Sequence, residues 1–197
     1  MIPNHPALLI VDVQNDFCPG GALPVPHGEA IVPVANKYIE FFKKKNLPVL
    51  ASRDWHPSRT THFKRYGGLW PAHCVQNSKG AAFHPHLKLS KNITIISKGM
   101  DPEKDSYSAF QGFTEKGQPL LEYLKLLKVK EIFVCGLATD YCVKSTALDA
   151  VKHGFKVNLL VDAMKGVNLH PQDSQKAVEE MLAAGVQATT LNEVRKK

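Results

Sequence analysis

Apolar runs too short for helices alternate along this chain with segments whose apolar residues recur at helical spacing, and no other feature restricts the fold as much. Residues 7–13 read Ala-Leu-Leu-Ile-Val-Asp-Val. Successive strand residues point to opposite faces, so a near-continuous apolar run fits a strand covered on both sides, as in a parallel sheet between helices. After a Gly/Pro-rich loop at 19–28, Ile31, Val34, Ala35, Tyr38, Ile39 and Phe42 fall on one helical face. Lys43, Lys44 and Lys45 follow in the last turn, where cations suit the helix dipole. Further strands are expected at 47–52, 93–96, 131–135, 155–161 and 186–191. Helices are expected around 119–127, from Thr139 to a stop at Gly154, and at 171–184 before Gly185. Units of this kind join right-handedly into an open sheet. The expected fold is α/β: three layers, α/β/α, around a mostly parallel open sheet of about six strands, in one domain spanning 1–197.

A chain of 197 residues, 44% hydrophobic and 22% charged, suffices for one well-filled core. The N-terminal apolar run lacks a preceding basic cluster and a small-residue cleavage site, so no secretory signal is read there. No apolar stretch approaches the roughly 20 residues that span a bilayer. A cytoplasmic protein with no membrane partner is expected. Cys18, Cys74, Cys135 and Cys142 lack C-x-x-C spacing, which predicts free thiols rather than a disulfide framework. The net charge of +7 is spread over helix faces and a short C-terminal tail from Arg195, without an aromatic-interleaved basic stripe, so nucleic acid is not expected as a partner. Nothing resembles an obligate heptad or repeat interface, and a homo-oligomer stays open.

In open parallel sheets ligands bind beyond the carboxyl ends of the strands. Asp12, Asp54, Lys98 and the turn from Gly136 to Cys142 all follow expected strands, so they should converge on one crevice. Cys142 falls in the first turn of an expected helix, where unpaired N–H groups favour negative charge; its thiol pKa should fall. A small buried hydrophobe is the alternative reading of that cysteine. A thiol that attacks an amide needs a proton acceptor, an oxyanion site and a proton donor for the leaving amine. No histidine stands at a strand end, so Asp12 is the candidate base and then acid, with Lys98 as the charge beside it. A second constellation is Asp54-x-His56 with His62 and His73 in the loop beyond. Mixed carboxylate and imidazole ligands suit zinc, iron or manganese with positions left open. The alternative is histidines merely exposed on a polar loop.

These residues lie in blocks that resemble one family. Ile10-Val-Asp-Val-Gln-Asn-Asp-Phe-Cys-Pro-Gly-Gly-Ala-Leu23, Ser52-Arg-Asp-Trp-His-Pro57, Trp70-Pro-Ala-His-Cys-Val-Gln76, Ser97-Lys-Gly99 and Val134-Cys-Gly-Leu-Ala-Thr-Asp-Tyr-Cys-Val143 are similar to nicotinamidases of the isochorismatase-like hydrolases. The similarity covers essentially the whole chain. It implies the isochorismatase-like hydrolase fold and an Asp12/Lys98/Cys142 triad. It also implies a thioester intermediate, a cis peptide between Leu137 and Ala138, and an oxyanion site at the N–H groups of Ala138 and Cys142. Asp54, His56 and His73, with His62 as a further ligand in some members, would hold one divalent metal, zinc first and iron or manganese as alternatives. That metal would orient the pyridine ring. Phe17, Leu23, Trp70, Tyr107, Leu137 and Ala138 would contact the substrate. The implied reaction is hydrolysis of nicotinamide to nicotinate and ammonia in NAD salvage, with pyrazinamide as a second substrate.

Overall fold

The computed structural model describes residues 5–196; residues 1–4 and Lys197, the ends of the expected 1–197 domain, lie outside the described residues. The chain runs β1 (Pro6–Val11), α1 (Val32–Lys44), β2 (Val49–Asp54), β3 (Thr94–Lys98), β4 (Phe113–Thr114), α2 (Leu120–Leu126), β5 (Glu131–Leu137), α3 (Lys144–Lys152), β6 (Lys156–Lys165), α4 (Asp173–Ala183), β7 (Gln187–Thr189) and α5 (Leu191–Lys196). The strands form one sheet in the order β4-β3-β2-β1-β5-β6-β7. Every pairing is parallel except β3 with β4. Among the described residues no helix is long and apolar enough to cross a membrane.

The apolar strand runs are explained by what covers them. Along β1, Leu8 and Ile10 enter one core with Ala35, Tyr38, Ile39 and Phe42 of α1 and Leu191 and Val194 of α5. Ala7, Leu9 and Val11 enter the other, with Leu120 and Leu124 of α2, Ala147 and Ala150 of α3 and Met181 of α4. Period-two alternation thus feeds two apolar layers, and three layers result.

The sheet has seven strands where about six were expected. The additional one, β4, is two residues long on the antiparallel edge, and its pattern is too short to register. The expected last strand at 186–191 is shorter, and Leu191 instead opens α5, whose Leu191 and Val194 complete the core over α1. The helix expected from Thr139 opens with a π-helical turn, Thr139–Val143, before α3. β6 runs on to Lys165 through a register shift opposite Val134 and Gly136, beyond the expected end at Val161.

β1 is joined to β2 on one side and borders β5 on the other, so chain order reverses between them. The carboxyl ends of β1 and β5 therefore open a crevice, the usual ligand position in such sheets. Gly136 makes that closeness possible. It has φ +124°, and a Cβ there would lie 2.0 Å from the Val11 carbonyl oxygen.

Candidate active site and metal centre

Asp12 leaves β1 in the left-handed region, φ +49°, which Asp tolerates better than most residues. Its carboxylate is fully buried, and Ser52 Oγ donates to Oδ1 at 2.7 Å. Asp54 and Lys98 are register partners at the ends of β2 and β3. The Lys98 ammonium, also fully buried, lies 2.9 Å from Asp12 Oδ2, in direct contact with Asp54 Oδ1, and 3.5 Å from Cys142 Sγ. The three residues of the expected triad are thus brought together around one ammonium. The peptide bond Leu137–Ala138 is cis. Ala138 O accepts from the N–H groups of Tyr141 and Val143, which folds the chain so that Cys142 faces Lys98.

Burial dominates the electrostatics. It pushes the Asp12 carboxyl up, against the pull of Lys98, and Asp54 adds to the rise. Burial alone would favour the neutral amine of Lys98, but Asp12 and then Asp54 hold its pKa well above the ordinary lysine value. The Cys142 thiol is also pushed well above its ordinary value, first by burial and then by the two carboxylates, with only Lys98 pulling down. The expected depression of its pKa by a helix start is therefore overturned. Dipoles of one turn do not offset a dry site in which two carboxylates face one ammonium. Cys142 nonetheless lines the pocket, whereas Cys135 is sealed in the core with its pKa raised to about 12 by burial.

The second constellation adjoins the first through Asp54. Oδ1 of that carboxylate meets Lys98, while Oδ2 lies 3.7 Å from His56 Nε2 and 3.9 Å from His73 Nε2. The ligand-capable nitrogens of His56, His62 and His73 lie within 4.8 Å of one another. These gaps exceed a hydrogen bond, yet ligands about 2.1 Å from a shared tetrahedral ion stand roughly 3.4 Å apart. His56 Nε2 is buried without a hydrogen-bond partner, which an unbridged imidazole rarely is. The other ring nitrogens are occupied: His56 Nδ1 with Gly99 O at 3.1 Å, His73 Nδ1 with Pro71 O at 2.8 Å, and His62 Nδ1 with Asp105 Oδ1 at 2.5 Å. Each such bond takes the Nδ1 proton and leaves the Nε2 lone pair for an ion. Burial drops the His73 pKa to about 4, so that ring is neutral and available at neutral pH. The donor set fits a divalent metal. Asp12, Asp54 and Cys142 also converge, but Lys98 stands among them and would repel a cation.

The two constellations meet at one pocket: Cys142, Ala138, Asp54, His62 and His73 line it, while Asp12, Lys98 and His56 lie buried behind that lining. Phe17, Leu23, Trp70 and Tyr107 stand on its wall as expected. Trp70 Nε1 donates to the Tyr107 hydroxyl at 3.0 Å, and Tyr141 packs edge-on against Trp70. Leu137 does not reach the pocket. Strand alternation turns it into the α1 side of the core, where it is 1% exposed. Sequence reasoning missed Val25, Ser106, Tyr141 and Val167 on the wall. It also missed Gln14, whose buried amide accepts from the Asp54 N–H at 2.8 Å and donates to the Asp54 carbonyl at 2.8 Å, fixing the backbone of that carboxylate.

The sequence from residue 6 to 193 matches the isochorismatase domain. The chain belongs to the isochorismatase family. Within that family it is 46% identical to a nicotinamidase of Escherichia coli, over 94% of each chain. It is 41% identical to a nicotinamidase/pyrazinamidase of Mycobacterium tuberculosis, over 92% of this chain and 96% of the relative. A pyrazinamidase of Pyrococcus horikoshii, solved in complex with zinc, superposes on this isochorismatase fold with a TM-score of 0.88. The two are 48% identical, covering 95% of this chain and 99% of the other.

Proposed function

We propose that this protein is a nicotinamidase, a cytoplasmic enzyme of one domain over 1–197 that converts nicotinamide and water to nicotinate and ammonia in NAD salvage. The observation that carries the reading is that Cys142, backed by the buried Asp12 and Lys98, and Asp54, His62 and His73 line one aromatic-walled pocket, with Lys98 joining Asp12 to Asp54. Relatives named nicotinamidase, among them one at 46% identity, support it. Pyrazinamide, a carboxamide on a similar flat nitrogen heterocycle, is proposed as a second substrate, as the name of the Mycobacterium tuberculosis relative suggests.

Asp12 accepts the Cys142 proton as sulfur bonds to the carboxamide carbon. Lys98, 3.5 Å from Sγ, places positive charge beside the developing anion, and the N–H groups of Ala138 and Cys142 receive the oxyanion. When the oxyanion collapses, protonated Asp12 gives its proton to the leaving nitrogen; ammonia departs and a thioester stays on Cys142. Water then attacks the thioester carbon and loses a proton to Asp12, which returns it to sulfur as nicotinate leaves. Phe17, Leu23, Trp70 and Tyr107 flank the ring throughout. Asp54, His56, His62 and His73 would hold one divalent ion, zinc first with iron or manganese as alternatives, and when bound it supplies an electrophilic point for the pyridine nitrogen, directly or through water. The test is ammonia release from nicotinamide by the purified protein and its loss in Cys142→Ala; turnover that survives the substitution rejects the thiol mechanism.

A further inference from the structure

The three histidines are oriented in two different ways. His56 and His73 give their Nδ1 protons to backbone carbonyls, of Gly99 and of Pro71. His62 instead meets a carboxylate, Asp105 Oδ1 at 2.5 Å, supplied by the loop that follows β3. The His62 side chain is 3% exposed, whereas that of Asp105 is 56% exposed, so a surface carboxylate reaches a buried ring. The same loop is pinned beside His62 at a second point. The Thr61 N–H and the hydroxyls of Thr60 and Thr61 all donate to Pro102 O, at 2.8, 3.0 and 3.1 Å.

We propose that Asp105 is the positioning residue that makes His62 a metal ligand, so that the loop after β3 belongs to the metal centre although it contributes no ligand itself. A carboxylate is a stronger acceptor for an N–H than a carbonyl, and a carboxylate behind a ligating imidazole fixes its tautomer and raises its basicity. Without it the His62 ring is free to rotate or to carry its proton on the other nitrogen. The inference rests on the metal centre described above, and its test separates the two.

Zinc affinity of the purified protein is measured by competition with a chromophoric chelator. Asp105→Ala should weaken zinc binding about 10- to 100-fold. Asp105→Asn, whose amide oxygen still accepts from Nδ1, should retain most of the affinity. His62→Ala should weaken binding by a similar factor, and the double variant Asp105→Ala/His62→Ala should be no weaker than His62→Ala alone. Wild-type affinity in Asp105→Ala overturns the assignment, as does a further loss in the double variant, because a residue acting through His62 has nothing to act on once it is gone. Failure of the unaltered protein to bind zinc, or of His56→Ala to weaken it, overturns the metal centre itself and this role with it. Asp105 is exposed, so unchanged thermal midpoints in its variants exclude misfolding as the cause.

Discussion

Lys98 is the residue on which both halves of the site depend. Its ammonium neutralises one charge while touching two buried carboxylates, Asp12 and Asp54, and standing beside a thiol. Removing one partner of a buried ion cluster leaves uncompensated charge, so Lys98→Met should lose about 3–5 kcal/mol of folding stability as well as activity. Chemical denaturation checks this, and an inactive but fully stable variant would show that the cluster is not held by charge. Asp12→Asn keeps the shape but cannot accept a proton. Its kcat for nicotinamide should fall about 10²- to 10⁴-fold with zinc content unchanged, as read by ammonia release and metal analysis. The convergence of Asp12, Lys98 and Cys142 was legible because each follows an apolar run that reads as a strand. Gln14, Ser106 and Asp105 were not, since a buried amide, a serine hydroxyl and an exposed loop carboxylate acquire their roles only from neighbours about 40 positions away or in the folded pocket. The direction of the Cys142 pKa was misread for a related reason: a helix start is visible in sequence, while complete burial beside two carboxylates is not.

At the scale of elements, the strand ends do the positioning and the turns after them do the aiming. Gly136 of β5 has Val11 of β1 as its register partner. Gly136→Ala would force a Cβ to within 2.0 Å of the Val11 carbonyl oxygen at φ +124°. Neither backbone can yield without separating the two central strands. A loss of about 3 kcal/mol or more is expected, a fall in Tm of roughly 6–12 °C for a chain of this size. Calorimetry checks it, and a midpoint within 2 °C or so of the parent would show that the strands can shift apart. Long periodic elements such as α1 and α4 were legible because their buried residues recur at helical spacing. β4 and α5 were not: two residues cannot display a period, and six residues at the end of the chain become helical because Leu191 and Val194 have a core to enter.

At the scale of the whole molecule, the site divides along the topology. Asp12, Cys142 and Lys98 come from β1, the β5 turn and β3, whereas Asp54, His56, His62 and His73 all come from β2 and the connection between β2 and β3. On the proposed roles, reaction chemistry and substrate orientation rest on different parts of the chain, joined at the Asp54–Lys98 pair. This division predicts how metal removal should act. If the ion only orients the ring through its nitrogen, a chelated protein should lose kcat/KM for nicotinamide, yet change little toward benzamide, which has the same carboxamide on a ring without nitrogen. The ratio of the two kcat/KM values should collapse toward one on chelation and recover on adding zinc. Were the ion instead to generate the nucleophile, both substrates would fall together, and the Asp54–histidine cluster would have to be assigned a part in bond breaking. Folding reports on the same ligand independently. Zinc at 1,000 times its Kd should stabilise the chain by about 4 kcal/mol, raising Tm by roughly 8–16 °C, and His56→Ala should abolish that rise.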